Sequence, residues 1–209
     1  HFDAIIVSDA FEGKRPVQRH QLVYGVLGDR MKEASGGSSI VYSLSADAAT
    51  AIAAGGWTAN GAYWLDSRMA AWSSSSYYER MPATLEAYNR SSDGPNKRLV
   101  SGQFAWSPLS RYTSPAQSWS DWGRSFTHRY PSGDAQAFKR SALANEEVTR
   151  LALKLIDQGG YAESKTPGLL ALSYSLDVAP EGQTSELSSE EVDAYVRLDR
   201  DLASIVSEL

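Results

Sequence analysis

Two acidic side chains follow an apolar run in the last third of the chain, and their spacing could hold a metal ion. The run Leu169–Leu172 is typical of a buried strand, and Asp177 and Glu181 follow it in an Asp-x-x-x-Glu arrangement. Carboxylates can ligate zinc or harder cations such as calcium and magnesium. The simpler interpretation is a pair of loop carboxylates facing water. The residues alone leave both interpretations open.

Imidazole ligands are scarce, because the chain has three histidines: His1, His20 and His128. Two-metal phosphoryl transfer needs ions roughly 3.5 to 4 Å apart, held by Asp and His side chains. None of the histidines lies in a His-rich stretch or an Asp-x-x-x-His spacing, so each is interpreted as a surface or hydrogen-bonding residue. We assign no catalytic, cofactor-binding or metal-ligating residue. Zinc is expected only if the site is atypical but active.

Hydroxyl and aromatic side chains are concentrated in the middle of the chain. Ser73–Ser76 lacks an accompanying His and Asp in an elbow such as Gly-x-Ser-x-Gly, so these hydroxyls are interpreted as structural. All six Trp lie between Trp57 and Pro131. Such rings stack on ligands or fill loop cores, and we favour core packing. Ser118–Arg124 is the segment in which we expect an exposed ring.

The composition is that of an ordinary globular protein of 209 residues, 42% hydrophobic, with a formal net charge of -5. This length can bury a sizeable core in one domain or one large fragment. Scattered basic residues and a negative balance argue against nucleic acid. No apolar run is long enough to span a membrane. Without cysteine there is no disulfide or thiolate chemistry. The expected partner is an unidentified small molecule or protein.

Strand and helix patterns alternate along much of the chain. The candidate strands are Asp3–Ser8, Ile40–Leu44 and Leu169–Leu172. The candidate helices are Val17–Ala34 and Ala46–Ala54, followed by Gly36-Gly37 and Gly55-Gly56 respectively. This alternation predicts an α/β fold with a mostly parallel sheet and flanking helices.

Two more helices are predicted toward the end of the chain. In the first, Asn145 is the expected N-cap, Glu146 and Glu147 occupy the first turn, and Gly159-Gly160 closes the helix. Its apolar stripe is Val148, Leu151, Ala152, Leu155 and Ile156. The second begins with a capping box of Ser188 and Glu191. Its expected inward residues are Val192, Tyr195, Leu198, Leu202, Ile205 and Leu209.

These patterns divide the chain into three portions. Residues 1–56 form an N-terminal α/β portion, and residues 57–135 form a long aromatic, loop-rich excursion with an exposed turn at Ser91–Lys97. Residues 136–209 form a helix-strand-helix portion of the same α/β domain.

Four segments resemble, in order, the nucleotide pyrophosphatase/phosphodiesterase branch of the alkaline phosphatase superfamily. They are Leu22–Val41, Ala62–Asn89, Leu169–Gly182 and Glu190–Asp201. The third is similar to the family's Leu-Leu-Ala-Val-Ser-Phe-Ser-Ser-Thr-Asp-x-x-Gly-His, and the fourth to Glu-Val-Glu-Asp-Thr-Tyr-Leu-Arg-Leu-Asp. The resemblance covers residues 22–209 and implies an alkaline-phosphatase-like fold. It also implies an exported protein, periplasmic or otherwise extracytoplasmic.

The chain departs from the family pattern where the family binds metal and phosphate. In an ungapped register, Val178 and Gly182 fall on the metal-binding Asp and His, although a shift of one residue would instead use the acidic pair described above. Asp47 and Ala49 stand where the family has the Lys and Arg that contact the transferred phosphoryl group. A carboxylate and a methyl group in place of two cations reverse the field that stabilises transition-state charge.

Residues 1–33 also resemble the second half of a BolA-type domain, including Phe11–Lys14 and the pair Arg19-His20. That resemblance implies that His20 could help ligate an iron–sulfur cluster shared with a glutaredoxin. A fragment or a chimera is then one interpretation of the chain.

Three hypotheses follow. The leading one is an alkaline-phosphatase-superfamily-like domain that has lost metal and phosphate ligands, a pseudoenzyme acting as a binding or scaffold protein. The second is an active metal-dependent phosphodiesterase or phosphatase with an atypical site. The third is a BolA-like iron–sulfur partner acting through the N-terminal segment.

Overall fold

A mixed sheet surrounded by helices forms the framework of the protein in the computed structural model, which describes residues 9–109, 126–131, 133–158, 165–175 and 189–208. The strands are β1 (Val41–Ser45), β2 (Gly61–Leu65), β3 (Trp72–Ser73), β4 (Ala105–Trp106), β5 (His128–Arg129) and β6 (Leu169–Ser173). The helices are α1 (Pro16–Ala34), α2 (Ala48–Gly55), α3 (Ala83–Arg90), α4 (Pro95–Val100), α5 (Ala135–Lys139), α6 (Ala142–Gln158) and α7 (Ser189–Glu208). A 3-10 turn precedes α1 at Asp9–Phe11.

Parallel pairing dominates the main sheet, whose strand order is β3-β2-β1-β6. On β1, Tyr42 pairs with Gly61 of β2 and with Leu170 of β6, both in parallel. β3 is antiparallel to β2, and β4 and β5 form a separate two-stranded antiparallel sheet. The prediction of an α/β fold with a mostly parallel sheet and flanking helices is therefore confirmed.

Glycines allow α1 and α2 to pack closely beside β1. A Cβ atom at Gly28 would lie 3.0 Å from Val41 Cγ1 and 3.4 Å from the carbonyl oxygen of Gly55. Gly56 follows α2 with a φ of 76°, a backbone conformation that strains residues with side chains. α1, β1 and α2 match the predicted elements to within two residues, because their periodicity and stop signals are local.

The core lies around the main sheet and α6. Its largest fully buried apolar side chains are Trp72, Tyr63, Phe138, Leu44, Leu65, Leu85, Leu99, Leu151 and Leu155. Val148 and Leu151 of the predicted apolar stripe on α6 are completely buried. Burial of such side chains contributes roughly 1.5–3 kcal/mol each.

The stretch predicted as a loop-rich excursion contains regular structure, namely β2, β3, α3, α4 and the two-stranded sheet of β4 and β5. Trp72 and Trp106 are buried there, as expected of core rings, whereas Trp57 is 78% exposed. The exposed turn predicted at Ser91–Lys97 is wrong in its second half, because Pro95 is buried and begins α4. Ser118–Arg124 lies outside the described residues.

Two predicted details of the C-terminal portion are wrong. α6 begins at Ala142, so Asn145 lies inside the helix. Its side-chain oxygen accepts a hydrogen bond from the Ser175 backbone N–H at 3.1 Å, a tertiary contact that replaces the expected cap. β6, whose apolar run is typical of a buried strand, lies at one end of the described sheet and is only half-buried along its length.

The inward face of α7 is largely polar, contrary to the sequence expectation, although Ile205 packs partly buried against the core as predicted. Its buried residues are Asp193, Ala194, Arg197 and Asp201. Tyr195 is 59% exposed and Leu202 is 45% exposed. The charged side chains Asp193 and Arg197 face inward because they bond to Glu146 on α6 and to Trp106 and Ser107 at the end of β4. Asp3–Ser8, Gly159-Gly160, Ser188 and Leu209 lie outside the described residues.

None of the helices in the described ranges combines the length and the apolar character that crossing a bilayer requires.

Candidate functional site

The carboxyl ends of β1 and β6 place two loops side by side. The strands are parallel, and Ser45 lies opposite Ser173 at their ends. From this edge β1 leads through Asp47 into α2, and β6 leads to Ser175. Ligand sites of open α/β sheets form at the carboxyl ends of strands. The structure therefore brings the Asp47 segment and the beginning of the loop after β6 to one edge, which we call the carboxyl edge.

Asp47 at this edge is bound to the backbone of α2. Its Oδ1 accepts hydrogen bonds from the Thr50 backbone N–H at 2.9 Å and from the Thr50 hydroxyl at 3.1 Å, which makes Asp47 the N-cap. Ala49 is exposed beside it. A helix N-terminus attracts anions through its free N–H groups and its dipole. Here the protein's own carboxylate already occupies that position.

Replacement of this cap tests its structural role. Asp47→Ala is expected to lower the free energy of unfolding by about 1 kcal/mol, because the Thr50 N–H loses its acceptor. Asp47→Ser, the matched control, keeps an acceptor oxygen and should lose much less. Urea unfolding of the two variants measures the difference, and equal losses would contradict the capping role.

The described residues do not offer the donor set that a zinc pair needs. Within them there is no group of three or more His, Asp or Glu side chains placed to hold a metal ion. His128 Nε2 lies 3.1 Å from Glu190 Oε1, and both side chains are partly exposed. The side chain of His20 is not described. Outside the described residues lie His1, Asp177, Val178, Glu181 and Gly182.

The serines after β3 fix the backbone of their own loop. The Ser74 hydroxyl donates to the carbonyl oxygen of Ala62 at 2.8 Å, and Ser75 Oγ accepts from the Tyr77 backbone N–H at 3.1 Å. These contacts agree with a structural role for Ser73–Ser76.

A buried ionic cluster joins α7 to α6 and to the segment after β4. Asp193 Oδ2 accepts from the Trp106 indole N–H at 2.7 Å and from Arg197 Nε at 2.6 Å. Arg197 also donates to Glu146 Oε1 at 2.5 Å and to the carbonyl oxygen of Ser107 at 2.7 Å. The sequence analysis missed this cluster. The spacing of Asp193 and Arg197 by one helical turn indicates an ion pair between them and could have pointed to it.

A second buried carboxylate lies on the other side of α6. Glu147 is 1% exposed, accepts a hydrogen bond from the Tyr88 hydroxyl at 2.7 Å, and pairs with Arg98. Burial raises the pKa of Glu147, while Arg98 and Tyr88 act in the opposite direction. This residue was expected in the first turn of the helix and instead lies further along α6, buried against the core.

Asp201 is the least satisfied carboxylate on the inward face of α7. It is 6% exposed, and its Oδ2 has no hydrogen-bond partner in the described part of the chain. Burial, followed by the charge of Glu146, raises the pKa of Asp201 to about 6, while Arg200 and Thr149 lower it. The folded state therefore holds the proton more tightly than the unfolded state does.

The pH dependence of stability tests this assignment. Because the folded pKa of Asp201 lies above the unfolded value of about 4, the stability that its protonated form contributes is lost as the pH rises from about 4 to about 6. Asp201→Asn should then be more stable than the parent by roughly 1 kcal/mol at pH 7.5, allowing for solvent screening, with little difference at pH 3.5. Urea unfolding across this range, with exposed Asp199→Asn as the control, measures the change. A pH-independent difference would contradict it.

The sheet order, the helix positions and the carboxyl edge together define an alkaline-phosphatase-like α/β fold. Crystal structures of the alkaline phosphatase PafA, both wild type and a variant with four substitutions, match with a TM-score of 0.67. Each match has 22% sequence identity and covers 88% of this chain and 38% of the PafA chain.

By sequence, the chain is similar to alkaline phosphatase PhoV of Synechococcus elongatus. The two are 28% identical over 186 residues, which is 83% of this chain and 34% of PhoV. The resemblance to alkaline phosphatases is thereby confirmed, whereas placement in the pyrophosphatase/phosphodiesterase branch stays a prediction. The chain spans about a third of the length of these relatives.

The N-terminal likeness is also confirmed, because residues 1–51 match the BolA-like protein family. SufE-like protein 1, chloroplastic/mitochondrial, of Arabidopsis thaliana is 47% identical over 47 residues, covering 22% of this chain and 13% of that protein. Because the PafA match covers 88% of this chain, it must extend into residues 1–51, so the two likenesses overlap there.

Proposed function

We propose that this chain belongs to an alkaline-phosphatase-like protein that has lost metal and phosphate ligands, and that it acts as a binding or scaffold domain. The observation that carries the proposal is the hydrogen bonding of the Asp47 carboxylate to the first turn of α2. In the register of the resemblance Asp47 replaces a phosphate-contacting Lys, and its carboxylate caps α2. An extracytoplasmic location belongs to the same proposal, because members of the resembled family are commonly exported.

Electrostatics at the carboxyl edge supports this proposal. Two cations in the family's positions would stabilise the charge that develops on a transferred phosphoryl group. Asp47 supplies a negative charge at one position and Ala49 a methyl group at the other. A phosphate at this edge would meet a carboxylate where the helix N-terminus could otherwise have bound it.

Zinc content and turnover test the proposal directly. The full-length gene product is purified, its zinc is measured by elemental analysis, and its hydrolysis of p-nitrophenyl phosphate is assayed. We expect neither stoichiometric zinc nor turnover. Zinc with turnover would instead establish the atypical hydrolase, and loss of both in Asp177→Asn and Glu181→Gln would identify its ligands.

A gain-of-function variant examines the electrostatic argument separately. Asp47→Lys combined with Ala49→Arg places two cations in the family's register, and we expect it to bind inorganic phosphate more tightly than the parent by calorimetry. The control is Asp47→Asn, which removes the negative charge without adding a positive one. Equal phosphate affinity in the parent and the double variant would contradict the argument.

A second candidate function is favoured by the match of residues 1–51 to the BolA-like protein family. In this interpretation, His20 helps a cluster-loaded glutaredoxin hold its iron–sulfur cluster. Mixing the two proteins should then perturb the visible absorption of the cluster, and His20→Ala should remove the perturbation. An unchanged spectrum with the parent chain would exclude this function.

A further inference from the structure

A cleft of about 470 Å³ lies between α1, the C-terminal end of α2 and the loop after β3. One wall is a single face of α1 that carries Leu22, Val26 and Asp29. The opposite wall includes Trp57 and Tyr77. Clefts of roughly 300–1,000 Å³ are typical of small-molecule sites. The cleft adjoins the end of α2 that is remote from Asp47, so it is separate from the carboxyl edge.

In the wall opposite α1, the ring of Tyr77 stands nearly perpendicular to the rings of both Trp57 and Tyr78. The centroids of Trp57 and Tyr77 are 6.3 Å apart with an interplanar angle of 78°. Those of Tyr77 and Tyr78 are 5.2 Å apart at 90°. Trp57 is 78% exposed and Tyr77 is 62% exposed, so both rings retain surface for a ligand. Perpendicular rings form a corner in which one small group can touch more than one ring.

Hydrogen bonds hold this corner in place. The hydroxyl of Tyr77 donates to the carbonyl oxygen of Trp57 at 3.1 Å, and that of Tyr78 to the carbonyl oxygen of Gly56 at 3.2 Å. Gly56 in turn lies against Gly25 of α1, where a Cβ atom would meet its Cα at 3.5 Å. The rings are therefore pre-organised, which reduces the entropy lost when a ligand binds.

The charge beside the rings is negative. Asp29 Oδ1 accepts hydrogen bonds from the Thr58 backbone N–H at 3.0 Å and from its hydroxyl at 2.6 Å, which fixes the carboxylate beside the residue that follows Trp57. The carboxylate is close enough to Tyr78 to be one cause, after burial and Tyr77, of the raised pKa of that hydroxyl. Lys14 also lines the cleft, but it precedes α1. Because the helix rises about 20 Å along its axis before it reaches Asp29, the two charged residues lie toward opposite ends of the helix.

We propose that this cleft binds an organic ammonium ion, held against the faces of Trp57 and Tyr77 and attracted by the carboxylate of Asp29. Cations are drawn to the negative faces of aromatic rings, and quaternary ammonium groups are recognised by aromatic cages of this kind. Leu22, Val26 and Ile52 supply an apolar surface for the remainder of the ligand. The inference does not depend on whether the chain hydrolyses phosphate esters.

Choline is the probe that tests the proposal, and 3,3-dimethylbutan-1-ol is its neutral isostere. Titrations of the full chain at low ionic strength, followed by calorimetry and by the indole N–H signals in NMR spectra, should show choline binding roughly tenfold more tightly than the isostere. No saturable choline binding, or equal affinity for the two compounds, would overturn the proposal.

Three variants locate the site. Trp57→Ala should weaken choline binding about tenfold or more, and Trp57→Phe should restore part of the loss. Asp29→Asn keeps an acceptor for Thr58 but removes the charge, so it should weaken choline binding several-fold and leave binding of the isostere unchanged. Tyr195→Ala, which removes an exposed ring on α7, is the matched control and should bind normally. Circular dichroism verifies that each variant is folded, and unchanged affinity in Trp57→Ala would overturn the assignment.

Discussion

Arg98→Met is expected to lower the free energy of unfolding by about 3–5 kcal/mol at pH 7.5, because it removes the nearer and more buried of the two cations paired with a buried carboxylate. Glu147 is 1% exposed, and it would keep the Tyr88 hydroxyl at 2.7 Å and the half-exposed Arg150 at 3.9 Å. Arg98 also lies over the ring of Phe104, with its guanidinium carbon 4.3 Å from the centroid, so packing is lost as well as charge. Urea unfolding measures the loss.

The effect of pH distinguishes a charge effect from a packing effect. Burial raises the pKa of Glu147, and Arg98 opposes that rise. Without Arg98 the folded pKa rises further above the unfolded value, so the variant loses more stability as the pH increases. The difference between Arg98→Met and the parent should therefore be smaller at pH 4.5 than at pH 7.5.

A matched control comes from an exposed pair. Arg30 and Glu33 pair at 2.7 Å with side chains 74% and 70% exposed, so Arg30→Met should change stability by about 0.5 kcal/mol or less. If Arg98→Met cost no more than this control, the buried pair would not be a major stabilising contact.

Arg197→Met is expected to cost a similar amount, about 3–5 kcal/mol, by breaking the cluster that attaches α7 to the rest of the protein. The guanidinium connects Asp193, Glu146 and the carbonyl oxygen of Ser107. Its loss leaves Asp193 with uncompensated negative charge at a buried position, and leaves Glu146 with only the half-exposed Arg200 as a partner. Unfolding by urea, followed by circular dichroism, gives the magnitude.

Arg200 provides the control on the same helix. It donates to the same Glu146 oxygen at 2.9 Å, but its side chain is 52% exposed. Arg200→Met should therefore cost about 1 kcal/mol or less. Equal losses in the two variants would mean that burial does not decide the value of these ion pairs.

The elements that sequence reasoning predicted well are those specified by nearby residues. The helical spacing of α1 ends at a Gly-Gly pair, and the small-residue helix α2 ends at another. The apolar run of β1 lies between them, and all three elements form as expected. Such signals lie within one or two turns of the structure they specify, so no distant contact is needed to read them.

The features that sequence reasoning missed depend on distant partners. Asn145 has the residue type of an N-cap, but its amide bonds to Ser175, 30 residues away. Asp193 is buried because Trp106, 87 residues away, donates to it. Tyr195 was expected to face inward and is exposed, because the charged stripe of α7 takes the buried side. Periodicity alone favours an apolar stripe and cannot show these pairings.

The candidate sites illustrate the same distinction. The prediction that Asp47 and Ala49 stand where the family has two cations came from the sequence, because the resemblance supplied a register. The aromatic cleft did not, since its walls come from α1, the end of α2 and the loop at Tyr77, which only the fold brings together. Asp177 and Glu181 lie outside the described residues, so their role stays a prediction.

The glycine contact between α1 and α2 has a consequence for any protein that recognises the BolA-like segment. That segment contributes α1, and the face bearing Gly25 and Gly28 is covered by α2 and β1. A partner that needs this face must displace α2, so its apparent affinity falls by the free energy of that displacement. A partner that uses the outer face of α1 does not have to displace α2. Its affinity is therefore not reduced in this way, and the two modes of binding differ in affinity by the free energy of that displacement.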